Sequence, residues 1–105
     1  MKKEIADKWV AALRSGTYPQ ITARLKTYEG YCCLGVLCDL ALKENVIEEF
    51  PYEQVYLPNN IMEWAGIKDP AGKYSKRAKD LVDLNDEGFS FNYIASVIEK
   101  KYEKL

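Results

Sequence analysis

The sequence predicts a small, mainly helical α+β domain in which a short β-hairpin packs on a central buried helix. Three observations predict this class. Apolar residues recur with helical spacing near both ends of the chain, residues 21–26 alternate between apolar and polar, and residues 33–42 are apolar on nearly every side. The chain has 105 residues, 48% of them hydrophobic, so we expect one core and a single domain over residues 1–105.

The first predicted element is an amphipathic helix over residues 3–15. Its buried face is formed by Ala6, Trp9, Val10 and Leu13. These positions follow the i, i+3, i+4, i+7 spacing of one helical face. Gly16 follows the helix and supplies the left-handed residue that commonly ends one.

The next segment has the period-two pattern of a half-buried strand. Ile21, Ala23 and Leu25 alternate with Thr22, Arg24 and Lys26. The alternation predicts a strand whose open face carries Arg24 and Lys26. A turn at Glu29-Gly30 would let Tyr31-Cys32 pair back as a second short strand.

The central helix is predicted over residues 33–44. A helix that is apolar nearly all round is usually the buried centre of its fold. Asp39 is the exception in this stretch, so its carboxylate needs a partner or a solvent edge.

Three further helical segments complete the prediction. One opens at Leu57-Pro58 and ends at Gly66, because proline suits the first helical position and glycine the residue after the last. Leu81 and Leu84 indicate one or two helical turns. The last helix is predicted over residues 91–103, with Ser90 as its N-cap.

Composition excludes several classes of function. The chain has no histidine, so one chain cannot assemble a Ser-His, Cys-His or His-metal mechanism. The formal net charge is −1, which argues against a protein that coats nucleic acid. No apolar run approaches the ~20 residues that span a bilayer, and no signal peptide is evident. We therefore expect a cytoplasmic protein without a nucleic-acid or membrane partner, a cofactor, a metal or catalytic residues.

The three cysteines lie together at the start of the central helix, as Cys32, Cys33 and Cys38. A structural zinc site needs four cysteine or histidine ligands, and this chain has three cysteines and no histidine. Buried, inert thiols are the main interpretation, since free cysteine packs as a small hydrophobe. A reactive thiolate favoured by the helix dipole is the alternative.

Three other features have a functional and an ordinary interpretation. The turn from Gly30 to Gly35 feeds a helix N-terminus, whose free N–H groups could bind phosphate or carboxylate, although many buried helices also begin after a glycine. Asn85-Asp86 could contact a ligand, or could form local hydrogen bonds where a helix ends. Five tyrosines in or near predicted loops could stack on a base or be ordinary surface residues. They are Tyr18, Tyr28, Tyr31, Tyr52 and Tyr56.

Several segments together resemble a family of small phage-encoded hypothetical proteins. The matching segments are residues 9–16, Tyr18 and Gln20, Tyr31-Cys-Cys-Leu-Gly-Val-Leu-Cys-Asp-Leu40, Leu57-Pro58, Glu63-Trp-Ala-Gly66, Leu84-Asn-Asp86, Ser90-Phe91 and Ile94-Ala95. The chain departs from the family's pattern after Gln20, where residues 21–24 replace a glycine-bearing stretch. The resemblance implies a phage setting, in the cytoplasm of the host cell. It also raises the possibility of an anti-defence role.

These observations lead to a functional hypothesis. The protein would be a non-enzymatic, homo-oligomeric binder that sequesters a nucleotide-derived host defence signal. Its predicted ligand-binding residues are Tyr18, Gln20, Arg24, Lys26, Tyr31, Cys33, Asn85 and Asp86. In this hypothesis the basic residues and the helix start near Cys33 face phosphates. Tyr18 or Tyr31 stacks on a base, and the amides with Asp86 read ribose or base edges. The alternatives are an inhibitor that binds a host protein and, lower, a small nucleotide hydrolase.

Overall fold

The architecture comes from a computed structural model, which describes residues 1–105. It contains five α-helices and one two-stranded antiparallel hairpin. The elements are α1 (Lys3–Arg14), β1 (Lys26–Thr27), β2 (Gly30–Tyr31), α2 (Cys33–Lys43), α3 (Asn59–Ala65), α4 (Leu81–Asp86) and α5 (Phe91–Lys101). A 3₁₀ turn over Tyr102–Lys104 follows α5. The predicted mainly helical α+β class is confirmed.

Local sequence explains where most helices begin and end. The Ser90 hydroxyl accepts a hydrogen bond from the Tyr93 N–H at 3.2 Å, so Ser90 is the N-cap of α5 as predicted. The Asp80 carboxylate caps α4 in the same way. Gly66 ends α3 with a φ of 73°, a left-handed conformation that glycine adopts without steric cost.

The predicted strand that carries Arg24 and Lys26 is wrong over residues 21–25, and only its last residue, Lys26, lies in a strand. Only Lys26–Thr27 pairs with Gly30–Tyr31, with Lys26 opposite Tyr31 and Thr27 opposite Gly30. Upstream, Ala23 has a φ of 72°, which no strand residue adopts. Its N–H donates to the Asp86 carboxylate at 3.0 Å. Ala23 is exposed, as Thr22 and Arg24 are, and only Leu25 is buried, so the alternating sequence does not produce alternating burial. The segment is an irregular loop whose backbone bonds reach other segments, including one from the Ile21 N–H to the Tyr31 carbonyl at 2.9 Å.

The central helix α2 forms the middle of the core, as predicted. Residues 33–39 are all buried. The Trp9 indole of α1 donates to the Cys33 carbonyl at 2.9 Å. The hairpin packs on α2 through Leu25, whose carbonyl accepts the Cys32 N–H at 3.1 Å. Helix α1 packs along α5 and also contacts α2, and α2 in turn contacts β2 of the hairpin. None of the helices has both the length and the apolar character needed to cross a membrane.

Candidate functional site

The hairpin forms one wall of an open cleft of about 490 Å³, which we call the hairpin cleft. Its lining residues are Pro19, Lys26, Thr27, Tyr28, Glu29, Gly30, Tyr31 and Tyr52. Three of these are tyrosines, and one is a lysine. The antiparallel pairing of β1 with β2 sets Lys26 directly across from Tyr31, so the short hairpin itself brings the charge and the ring together.

Lys26 lies among aromatic rings. Its ammonium is 4.7 Å from the ring centre of Tyr31 and 5.4 Å from those of both Phe50 and Tyr52. A cation at these distances is attracted by the negative face of each ring. Interaction with the Tyr31 hydroxyl is the main cause that raises the pKa of Lys26. The cleft therefore carries a positive charge that is held in place at neutral pH.

The aromatic rings form a continuous row that begins behind the cleft and ends at its mouth. Tyr18 meets Tyr31 edge to face, with ring centres 4.9 Å apart, and Phe50 lies 6.0 Å beyond Tyr31. Tyr52 follows at 5.1 Å and is 53% exposed, while Tyr28 at the hairpin turn is 97% exposed. Such offset and edge-on contacts are favourable. The rings of Tyr28 and Tyr52 remain free to stack on a planar ligand.

Tyr18 is held in position from behind by an ion pair between the buried Asp39 and the exposed Lys43. Its hydroxyl donates to Asp39 Oδ2 at 2.5 Å, and Lys43 Nζ lies 3.0 Å from the same oxygen. Lys43 also contacts the Tyr18 hydroxyl at 3.2 Å. Hydrogen bonds to Tyr18 and then to Asp39 raise the pKa of Lys43 to about 12. Asp39 thus has the partners that the sequence required, and Tyr18 supports Tyr31 rather than lining the cleft.

Asn85 is a buried structural amide. Its Oδ1 accepts hydrogen bonds from the Cys33 N–H and from Gln20 Nε2, both at 3.0 Å. Its Nδ2 donates to the Ile21 carbonyl at 2.8 Å and to the Asp86 carboxylate at 3.3 Å. Asn85 is completely buried, so these bonds leave it no free atom for a ligand.

The start of α2 does not open to solvent. Cys33 is fully buried, and its N–H is already bonded to Asn85. The Gly35 N–H donates to the Cys32 sulfur at 3.4 Å. The structure therefore corrects the hypothesis that this turn holds an anion and favours the ordinary interpretation, a buried helix start satisfied from within the chain.

The remaining predicted residues lie outside the hairpin cleft. Gln20 lines a smaller neighbouring cleft of about 370 Å³, which shares Thr27 and Glu29 with the first. The Arg24 guanidinium donates to the Glu53 carbonyl at 3.3 Å and is not part of the cleft lining. Of the eight predicted site residues, the structure thus brings only Lys26 and Tyr31 into the hairpin cleft.

Sequence reasoning did not assign Tyr28, Glu29 or Tyr52 to a site. The available signal was the number of tyrosines in predicted loops, which marked Tyr28 and Tyr52 but gave them no common location. They meet because the 50–54 loop folds back on the hairpin, where the Leu25 N–H donates to the Gln54 carbonyl at 3.0 Å. Contacts across this many residues leave no local pattern.

A larger cleft lies on the loop between α2 and α3, with a volume of about 560 Å³. It is lined by Val46, Ile47, Glu48, Glu49, Phe50, Pro51, Gln54, Pro58 and Asn60. Two glutamates and no basic residue line it. An anionic ligand would be repelled there, so the hairpin cleft is the better candidate for a phosphate-bearing molecule.

The three cysteines are free thiols and all are buried. Burial is the largest cause that raises their pKa, to about 11 for Cys32 and well above the ordinary range for Cys33. Thiolates are the reactive form of cysteine, so these groups are inert at neutral pH. No group of three or more His, Cys, Asp or Glu side chains lies close enough to hold a metal ion.

We expect the native protein to resist thiol labelling. At pH 8 a chromogenic disulfide reagent should react with the three thiols much more slowly than with a free thiol, since both access and ionisation are suppressed. After denaturation three equivalents should react at once. Rapid reaction of one native thiol would show a reactive cysteine and would contradict the packing role.

The fold and the cleft define a small, mainly helical α+β domain whose β-hairpin bears a lysine held among tyrosines. This chain belongs to the family described as a domain of unknown function, DUF8296, whose model matches residues 1–102. Comparison with curated proteins and with solved structures gives no match for this chain.

Proposed function

We propose that this protein is a non-enzymatic binder that takes up a nucleotide-derived small molecule in the hairpin cleft. The observation that carries the proposal is the Lys26 ammonium, fixed 4.7 Å above the Tyr31 ring beside two partly or fully exposed tyrosines. A phosphate would pair with the ammonium, and a base would stack on the Tyr28 or Tyr52 ring. The tyrosine hydroxyls and the Thr27 hydroxyl would hydrogen-bond its polar edges.

Charge in the cleft limits the class of nucleotide. Its lining contains one basic side chain, Lys26, and one carboxylate, Glu29. A triphosphate would bring several negative charges to a cleft that offers one cation. We therefore propose a ligand with one or two phosphates per base, such as a cyclic nucleotide or an ADP-ribose derivative, over a nucleoside triphosphate.

The biological role we propose is sequestration of a host defence signal by a phage accessory protein. Its support is the resemblance to small phage proteins, together with a cleft that has a binding charge but no histidine or reactive thiol for catalysis. We also propose that the protein works as a homo-oligomer in the host cytoplasm. Binding sites generally bury most of a ligand's surface, and Tyr28 is too exposed to do this without a second copy.

The decisive variant is Lys26→Met, which keeps the stem among the rings and removes the charge. Affinity for the bound nucleotide should fall by about tenfold or more, because a hydrogen bond to a charged group is worth about 1.5–3 kcal/mol. Titration calorimetry against a panel of cyclic nucleotides, ADP-ribose derivatives and nucleoside triphosphates measures this directly. Intact ligand recovered after heat denaturation distinguishes sequestration from hydrolysis.

Arg24→Met is the matched control, since it removes a positive charge two residues away that lies outside the cleft. It should bind as the wild type does. No heat of binding with any member of the panel contradicts the proposed function. Equal losses from the Lys26 and Arg24 variants would show that the effect is general electrostatics rather than this cleft.

A second candidate function is the binding of a host protein. The specific observation behind it is the exposure of Tyr28 at the tip of the hairpin, because tyrosine is enriched where protein interfaces gain their affinity. Pull-down from host lysate with the wild type and Tyr28→Ala separates the two. A stoichiometric protein partner that is lost in the variant favours this candidate, and a co-purifying small molecule favours the first.

A further inference from the structure

A basic loop joins α3 to α4 and shares no residue with the lining of the hairpin cleft. Residues 73–79 read Lys-Tyr-Ser-Lys-Arg-Ala-Lys, with four basic residues and no acidic one. All of them are exposed except the half-buried Tyr74. Only Lys79 has an acidic side chain within ion-pair distance, which is Glu87. Three cations in this loop are therefore free to bind an external anion.

The shape of this loop is fixed by its own hydrogen bonds. The Asp69 carboxylate accepts the N–H groups of Ala71 and Lys73, at 3.0 and 3.1 Å. The Ser75 hydroxyl accepts the Arg77 N–H at 3.2 Å. A loop that is already ordered loses less conformational entropy when a ligand binds.

An exposed aromatic pair lies beside the basic loop. The rings of Phe89 and Tyr93 are 4.8 Å apart and tilted by 32°, with 38% and 49% of each residue exposed. The ion pair from Lys79 to Glu87 brings the end of the loop within two residues of Phe89. Tyr74 is also a neighbour: burial is the main cause that raises its pKa, and the charge of Tyr93 adds to it.

We propose that these five exposed side chains, Lys73, Lys76, Arg77, Phe89 and Tyr93, form a surface that binds single-stranded nucleic acid. Single strands are bound by cations that follow the phosphates and by aromatic rings on which unpaired bases stack. Both kinds of group are present here, on a loop that the Lys79–Glu87 ion pair ties to the segment carrying the aromatic pair. A duplex hides the faces of its bases, and an acidic peptide has no base to stack, so neither would use the aromatic pair.

The surface is small, and the expected contact is correspondingly short. Three free cations would engage about three phosphates, so the logarithm of the affinity should fall with the logarithm of salt concentration with a slope of about −2. The net charge of −1 still argues against a protein that coats long nucleic acids. A short single-stranded segment is the partner that fits.

Fluorescence anisotropy with a labelled oligothymidylate of about 15 nucleotides tests the proposal on the full-length chain. Wild-type protein should bind at low salt with the slope given above. The triple variant Lys73→Ala/Lys76→Ala/Arg77→Ala should bind about tenfold or more weakly and should lose nearly all of the salt dependence. Phe89→Ser/Tyr93→Ser should lose about tenfold in affinity but keep the slope.

A matched control removes the same number of charges from another exposed position. Lys100→Ala/Lys101→Ala/Lys104→Ala alters the end of α5 and the turn after it, and should bind as the wild type does. Circular dichroism establishes that every variant is folded. Because the aromatic and basic variants alter different side chains, failure of one to fold leaves the other as a test.

Four results would overturn the proposal. They are absence of binding at low salt, equal weakening by the control variant, equal affinity for a duplex of the same length with no effect of the aromatic substitutions, and competition by polyglutamate as strong as by unlabelled oligothymidylate. The last two outcomes would point instead to general attraction of polyanions or to an acidic protein partner.

Discussion

Replacing Gly35 by alanine should destabilise the protein by at least about 4 kcal/mol, a loss at the extreme of single substitutions. A Cβ at this position would lie 1.7 Å from the Leu25 carbonyl oxygen and 2.7 Å from its carbon. That carbonyl cannot easily withdraw, because it accepts the Cys32 N–H at 3.1 Å and Leu25 is completely buried. The gain of about 1 kcal/mol from alanine in a helix is too small to offset the overlap.

Urea denaturation followed by circular dichroism measures this loss. Gly88→Ala is the informative comparison, because nothing lies within 4 Å of a Cβ at Gly88 and only its left-handed backbone opposes the change. That strain is worth about 1–2 kcal/mol. A Gly35 variant within about 1 kcal/mol of wild type would mean that the hairpin does not pack on α2 as closely as described.

Replacing Asn85 by alanine is the second substitution from which we expect a large effect, a loss of about 3–5 kcal/mol. The change deletes four hydrogen bonds at one fully buried side chain. It also leaves the Cys33 N–H and the Ile21 carbonyl without partners, and an unpaired buried polar group costs about 1–3 kcal/mol. Because these bonds join α4 to the 20–22 loop and to α2, the loss should appear as lower global stability.

The control for Asn85 is Asn92→Ala, an amide exposed on the surface of α5. It should change the free energy of unfolding by no more than about 0.5 kcal/mol. Asn85 also provides a functional test. If the Asn85 variant, assayed where it remains folded, keeps wild-type nucleotide affinity, Asn85 acts only in folding. Selective loss of ligand binding with unchanged stability would return Asn85 to the site that the sequence proposed.

Regular helices were the part of the fold that the sequence predicted well. The predicted helix over residues 3–15 is observed over Lys3–Arg14, and the predicted 33–44 over Cys33–Lys43. Helical periodicity, an N-cap serine and a terminal glycine are local signals that act within one or two turns. These signals do not depend on contacts with distant parts of the chain.

The loop before the hairpin shows why the strand prediction failed. Its alternating residues looked like a strand, yet the Ala23 N–H bonds to Asp86 and the Leu25 N–H to Gln54. Those partners lie dozens of residues away, and no local pattern encodes them. Six of the eight predicted site residues lie outside the lining of the hairpin cleft for the same reason, since their hydrogen-bond partners belong to distant segments.

By itself, the sequence determined the fold class, the helix positions, the buried role of α2 and the need for a partner at Asp39. It also limited the chemistry, since a chain without histidine has few routes to catalysis. Only the tertiary structure decided which polar side chains form hydrogen bonds with the backbone and which remain available to bind a ligand. It turned Asn85 into a buried structural amide and set Lys26 among rings from two separate loops. The physical reason is that burial and hydrogen-bond pairing depend on contacts between distant segments, whereas periodicity and capping depend on near neighbours.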